Sequence, residues 1–377
     1  MDWSKTAALR KTCALVDLDA YKDNLRAIRS HLKPGCKLMA VVKADAYGHG
    51  LVPIAKAAQE AKADWLGVAL VEEGIVLREA GITLPILVLS GQGLEATCEA
   101  VRHGLVLTAF TPRHVQDAQL CARRLGVDAR VHIKLDTGMN RIGVKTDEAL
   151  SELLSMLTDM PKVKLTGAYT HFASADNLQS DMTDRQLRRF HELIARLPQD
   201  ILLHTSGSSA LLKREDAQYG MARAGIATYG YSPVKTDVPL KMVMKWLAEI
   251  THVKYVESGE TISYGATFVA SKPMRVATLA VGYGDGYARL LSGKAQVLVH
   301  GKRCDVLGRV CMDQMMVDVS EVEDVQPGQQ AVLLGSDGAE CVTADELANL
   351  LGTISYEVLL SISARVPRVY IKQGMGD

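Results

Sequence analysis

The sequence predicts an α/β plus all-β chain: an N-terminal parallel (β/α)8, TIM-like barrel followed by a mainly antiparallel β domain. Three observations carry this. Short apolar runs recur eight times with helical segments between them, the pattern changes character after Pro233, and the remainder shows apolar runs parted by turn signals. The expected domains are 1–237 and 238–377.

In chain order, a first run at 12–18 precedes the repeat and is a candidate to pair with the C-terminal domain. The repeat then supplies runs at 38–44, 64–70, 85–90, 105–110, 131–137, 165–172, 201–207 and 222–230, of the length and composition of buried strands. Between them, 52–63 is rich in Ala and Lys, 71–80 carries Glu72, Glu73, Arg78 and Glu79, and 147–158 and 184–197 space their apolar residues for helices. A doubly wound open sheet would show the same alternation, so periodicity leaves barrel and open sheet unresolved. In the second domain, runs at 275–281, 295–299 and 315–319 are set off by Glu257-Ser-Gly-Glu260, His300-Gly-Lys-Arg303 and Gln326-Pro-Gly-Gln329. Thr343 and Glu346 form a capping-box pattern that opens one short helix.

Composition narrows the function. Lys and Arg (43) balance Asp and Glu (43), which gives no footprint for nucleic acid or for an anionic membrane surface. No apolar run reaches the roughly 18 residues of a membrane span, and the first residues lack the apolar stretch of a signal peptide. The seven cysteines are scattered without a C-x-x-C pair. That argues against a disulfide framework or a zinc site and for a reducing compartment. A cytoplasmic enzyme without a metal is the expectation.

The chemistry centres on Leu38-Met-Ala-Val-Val-Lys-Ala-Asp-Ala-Tyr-Gly-His-Gly50. A lysine at the mouth of a buried strand has its charged form disfavoured, and a neutral amine is what a Schiff base with an aldehyde needs. In a (β/α)8 barrel, function gathers at the C-terminal ends of the strands. There the sequence places Lys43, Arg141, His171, the segment Ser206-Gly-Ser-Ser209, and Arg223 with Gly225 and Ile226. A lysine, two arginines, a histidine and a Gly/Ser-rich turn make a pocket for a phosphorylated aldehyde.

The run Val-Val-Lys-Ala-Asp-Ala-Tyr-Gly-His-Gly resembles the lysine motif of the alanine racemases, and the resemblance extends from about Leu15 to Tyr370. It implies pyridoxal 5′-phosphate (PLP) as cofactor, attached at Lys43. Tyr47, Ser208, Tyr356 and the amides of Gly225 and Ile226 would hold its phosphate. Where the family usually has Asn before that serine, this chain has Gly207. Arg223 would face the pyridine nitrogen; because a guanidinium keeps its proton, the ring becomes a weaker electron sink, which suits racemisation. Thr261-Ile-Ser-Tyr-Gly-Ala-Thr-Phe268 resembles the family's catalytic tyrosine motif, with Tyr264 as the second base and His171 tuning it. By the same resemblance the tyrosine enters from the second subunit of a head-to-tail homodimer, together with Tyr283, Met312 and Asp313. Tyr283 narrows the entrance, and Met312 and Arg141 hold the substrate carboxylate. Lys134 matches a position that is often carbamylated; a Lys134–Asp136 or inter-strand ion pair is the alternative. The implied product is D-alanine for cell-wall peptidoglycan in a bacterium. Serine or broad-specificity racemisation on the same scaffold stays open, and a non-catalytic PLP-binding barrel or a decarboxylase with a similar barrel is disfavoured by the Tyr264 motif.

Overall fold

The computed structural model describes residues 10–372. It divides into two compact units. One comprises residues 21–46 and 51–241; the other comprises residues 10–20, 47–50 and 242–372.

The first unit is the barrel. Its strands are β2 (Lys37–Val41), β3 (Trp65–Val68), β4 (Ile86–Val88), β5 (Val106–Ala109), β6 (Ala129–Lys134), β7 (Val163–Tyr169), β8 (Leu202–His204) and β9 (Met221–Ala224), numbered after β1 (Cys13–Asp17) of the other unit. Each pairs in parallel with its sequence neighbour from β2 to β8, and β9 pairs with β2. The last strand lies beside the first, so the alternation resolves as a barrel, not an open sheet. Just beyond β8, the Ser206 carbonyl accepts from the Arg223 amide of β9 at 3.0 Å. Apolar side chains such as Leu38, Leu66, Ile86 and Val131 are fully enclosed, the burial that drives closure.

Helices at Leu94–Arg102 and Pro112–Leu125 complete the repeat between β4 and β6. They also overturn the expectation for the cysteines. Cys98 and Cys121 form a disulfide across these two helices, with Cα atoms 4.9 Å apart. Their separation of 23 residues gave no motif; helix packing brings them face to face.

The second unit is a β domain. Its strands after β1 are β10 (Met244–Val256), β11 (Thr261–Ile262), β12 (Phe268–Val269), β13 (Met274–Leu279), β14 (Gln296–Val299), β15 (Lys302–Leu307), β16 (Met315–Asp318), β17 (Gln330–Asp337), β18 (Glu340–Val342) and β19 (Arg368–Ile371). Eight of these and β1 form one nine-stranded sheet in the order β18-β17-β14-β15-β16-β13-β10-β1-β19. The long β10 also pairs with β17, after which a bulge between Ile250 and His252 turns it toward β13. β1 runs antiparallel to β10 and parallel to β19. The Thr343 hydroxyl caps the helix Ala344–Leu351 by accepting from the Glu346 amide at 3.0 Å. A second helix follows at Ser355–Ser361, where the sequence suggested only one.

Candidate active site

β2 stops at Val41, earlier than its apolar run implied, because the chain turns left-handed after Lys43. Ala44, Asp45, Ala46 and Tyr47 have φ of 53°, 51°, 53° and 54°. Such a turn costs L-residues roughly 1–2 kcal/mol each, so its surroundings must hold it. In the barrel unit Glu73 does so. Its carboxylate accepts from the Ala44 amide at 2.6 Å and from the Ala69 and Leu70 amides at 2.8 and 3.1 Å. In the other unit Arg368 Nε donates to the Gly48 carbonyl at 2.9 Å, and a Cβ at Gly48 would stand 2.8 Å from the Leu359 carbonyl oxygen. Lys43 itself is half-buried. Burial lowers its pKa, Arg141 lowers it further, and Glu73 opposes them.

Arg223 lies inside the barrel, 4% exposed. One terminal nitrogen donates to His204 Nδ1 at 2.8 Å; the other reaches the Thr170 and Thr205 carbonyls at 2.8 Å and His171 Nδ1 at 3.0 Å. No carboxylate pairs with it among the described residues, and its Nε makes no hydrogen bond there. A guanidinium only donates, so both Nδ1 atoms accept and both neutral rings carry their proton on Nε2. His204 Nε2 then donates to His132 Nδ1 at 3.0 Å, which leaves the proton of His132 on an Nε2 with no partner among the described residues. Burial, then the Arg223 charge, holds all three imidazoles below their ordinary pKa, His132 at about 3. Tyr169 stacks on His204 at 4.7 Å and places its ring 5.3 Å from the Arg223 guanidinium. Burial lowers the pKa of Arg223 itself to about 10, which keeps it cationic at neutral pH.

Lys134, 2% exposed, donates to the Leu135 carbonyl at 2.9 Å and lies 5.4 Å from the Tyr169 ring centre. Burial and then Arg223 lower its pKa to about 7. It forms no ion pair with Asp136 among the described residues; that carboxylate accepts from the Gly138 and Asn140 amides, both at 3.0 Å. Arg141 sits exposed in the loop after β6, and it is close enough to depress Lys43, Lys134 and His171. Ser208 begins the short helix after β8, and its Oγ accepts from the Gly225 and Ala227 amides at 3.0 and 3.3 Å. The Gly225 amide is thus committed to Ser208, whose own proton stays available. Ile226 starts a 3₁₀ turn, where the first amide has no intrahelical acceptor. Where the chain has Gly207, a Cβ would lie 3.2 Å from His171 Cε1, so the glycine leaves room beside that ring.

In the β unit, Tyr264 heads a 3₁₀ turn between β11 and β12, not a strand. It is 71% exposed and its hydroxyl makes no hydrogen bond among the described residues. Tyr264, Met312 and Asp313 line one groove of about 830 Å³ with Ser263, Cys311 and Gln314. Tyr283 belongs to the adjoining turn, whose Tyr283 and Gly284 amides donate to the Cys311 and Met312 carbonyls at 3.0 and 2.9 Å. Tyr47 and Tyr356, also of this unit, have ring centres 5.9 Å apart. The structure therefore gathers the predicted residues into a cationic barrel cluster, an exposed groove around Tyr264 and Met312, and the Tyr47–Tyr356 pair, of which Tyr47 is buried. Sequence reasoning missed Glu73, Thr170 and His204; only the place of His204 within the seventh apolar run, where β8 ends, could have drawn notice.

Comparison with known proteins decides the family. Residues 16–233 match the alanine racemase N-terminal domain and residues 243–370 the alanine racemase C-terminal domain. The chain belongs to the alanine racemase family. The alanine racemase of Symbiobacterium thermophilum is 45% identical over 370 residues, covering 96% of this chain and 97% of that protein. The structure of the Clostridium difficile 630 alanine racemase superposes with a TM-score of 0.90 at 38% identity, covering 96% of each chain. That of Bartonella henselae, solved with covalently bound pyridoxal phosphate, gives 0.87 at 27% identity, covering 96% of this chain and 99% of that one.

The residues present fit such a cofactor. The barrel holds a depressed amine for an aldehyde, an unpartnered Nε on a permanent cation for a ring nitrogen, and a serine proton with a helix-start amide for phosphate.

Proposed function

We propose that this chain interconverts L- and D-alanine with two bases, Lys43 and Tyr264, that serve opposite faces of Cα. As a member of its family it is a PLP-dependent isomerase acting on alanine. PLP, when bound, withdraws electrons from Cα and makes its proton removable. Lys43 would hold the aldehyde carbon, Tyr47, Ser208, Ile226 and Tyr356 the phosphate, with the Gly225 amide orienting Ser208, and Arg141 the substrate carboxylate beside Met312.

The observation that carries the reading is the half-buried Lys43 amine, whose cationic form burial and Arg141 both disfavour. A neutral amine can both bind an aldehyde and, once released, take up or return a proton. Arg223 would lie at the ring nitrogen, unable to hand over a proton there. Tyr264 would act from a partner subunit in a head-to-tail homodimer, since its exposed groove needs a cover to exclude water. Asp313, Met312 and Tyr283 would come with it. A carbamate on Lys134 is in keeping with an amine held at about 7. The place of the enzyme is the cytoplasm and its product D-alanine supplies peptidoglycan; the Cys98–Cys121 disulfide is the feature that speaks against a reducing compartment.

The test is borohydride reduction of the purified, yellow holoenzyme. PLP should become fixed to the peptide that contains Lys43. Label on another lysine, or on none, would overturn the assignment.

A further inference from the structure

Beneath the turns of Tyr283 and Met312 runs a chain of charges. Asp285 is fully buried. Its Oδ1 accepts from Arg10 Nη2 at 2.8 Å and lies 3.7 Å from Arg365 Nε, while its Oδ2 accepts from the Gly282 amide at 3.1 Å. Arg365 continues outward, with Nη2 2.8 Å from Asp313 Oδ1. The fit is close, since a Cβ at Gly284 would collide with Arg365 Nη1. Ser363 completes the frame, donating its amide to the Asp285 carbonyl at 2.9 Å and its hydroxyl to the Gly284 carbonyl at 3.1 Å.

The two ends of this chain differ in what they require. A carboxylate taken out of water must be paired; Arg10 hydrogen-bonds Asp285, and the remaining attraction draws the Nε edge of the Arg365 guanidinium to 3.7 Å from the same oxygen. The guanidinium is planar and rigid, so fixing one edge aims the other. That other edge meets Asp313, whose side chain is 57% exposed and would otherwise be free to turn. The backbone bonds from Tyr283 and Gly284 to Cys311 and Met312 tie the same two turns together.

We infer that Arg365 is a positioning residue: anchored on buried Asp285, it holds Asp313 and with it the Met312 amide in the orientation that receives the substrate carboxylate. The inference rests on the proposed role of the Met312–Asp313 turn in substrate binding. Arg365 acts only through Asp313 and touches no reacting atom.

A double-mutant cycle in the holoenzyme tests it, with PLP absorbance and melting temperature recorded for each variant. Displacing a binding group by an ångström costs on the order of tenfold to a hundredfold. Arg365→Ala should therefore raise KM for L- and D-alanine alike by about tenfold while kcat changes far less, the mark of lost uniform binding. Asp313→Asn should do the same, and the double variant should be no worse than the poorer single one. Arg365→Lys should recover part of the loss. An unchanged KM in Arg365→Ala, or effects that multiply in the double variant, would overturn the inference. A KM change in Asp313→Asn without one in Arg365→Ala sinks the inference alone; no change in Asp313→Asn sinks the reading of the turn as well. Should Arg365→Ala fail to fold, Arg365→Lys in the same cycle with Asp313→Asn separates the same outcomes.

Discussion

Inside the barrel His132, Lys134, His204 and Arg223 are between 0% and 4% exposed, whereas Tyr264, Tyr283 and Met312 of the β unit are 71%, 42% and 54% exposed. The buried group is finished within one chain. Hydrogen-bond direction fixes its tautomers, and burial with one guanidinium fixes its charge states. The exposed group has its backbone fixed, by the turn bonds to Cys311 and Met312, but its side chains face water. The contrast shows which half of the proposed two-base site can be tuned locally. A base in the barrel takes its properties from its own strand ends; a base on the groove must take them from whatever covers it.

The largest expected effect breaks the two halves apart. If Tyr264 serves one face of Cα, Tyr264→Phe should slow proton abstraction from one enantiomer by about a thousandfold while the other direction suffers far less. Solvent-deuterium incorporation into L- and D-alanine, followed separately, measures it. Equal small losses for both would mean that Tyr264 merely packs.

A smaller effect is expected if Tyr356, besides holding the phosphate as proposed, also walls the space for the substrate side chain. An apolar wall rejects an added hydroxyl only about a hundredfold, so alanine should be preferred with measurable serine activity. Tyr356→Asn should shift the serine-to-alanine ratio of kcat/KM by about tenfold and loosen PLP retention. An unmoved ratio would remove Tyr356 from the specificity argument.

The smallest effect tests the barrel half through acid stability. His132 ordinarily titrates at 6.5, but in the fold only at about 3. Between those values the unfolded chain binds a proton that the folded chain refuses, so stability falls as the pH is lowered through that window. His132→Asn keeps an acceptor for His204 and deletes the titration. Its unfolding free energy should lose up to about 1.4 kcal/mol per pH unit of that acid slope. Parallel slopes in denaturant titrations of the two proteins would contradict the neutral-histidine network.

Much of this was legible in the chain itself. The eight apolar runs located the barrel strands, and strand-end logic placed Lys43, His171 and Arg223 in one cluster. What stayed hidden depends on distant pairs or unusual backbone. Glu73 meets Ala44 across 29 residues, and Arg365 meets Asp313 across 52. No periodicity signals the left-handed turn at 44–47, since alanine and tyrosine there disfavour it locally. Nor does any periodicity signal the 3₁₀ turn at Tyr264, which is set by contacts such as Ser263 Oγ donating to the Arg309 carbonyl at 2.6 Å. The Cys98–Cys121 bridge needed two helices to be packed before it could be seen.

The most direct test of the divided site is complementation between two inactive variants. Lys43→Ala lacks the barrel base and Tyr264→Ala lacks the groove base. Mixed in equal amounts under subunit exchange, half of the dimers should be hybrids with one intact site of two, which restores about a quarter of the parental racemisation rate. A mixture no more active than the sum of its components would contradict the claim that one subunit's barrel is completed by its partner's groove.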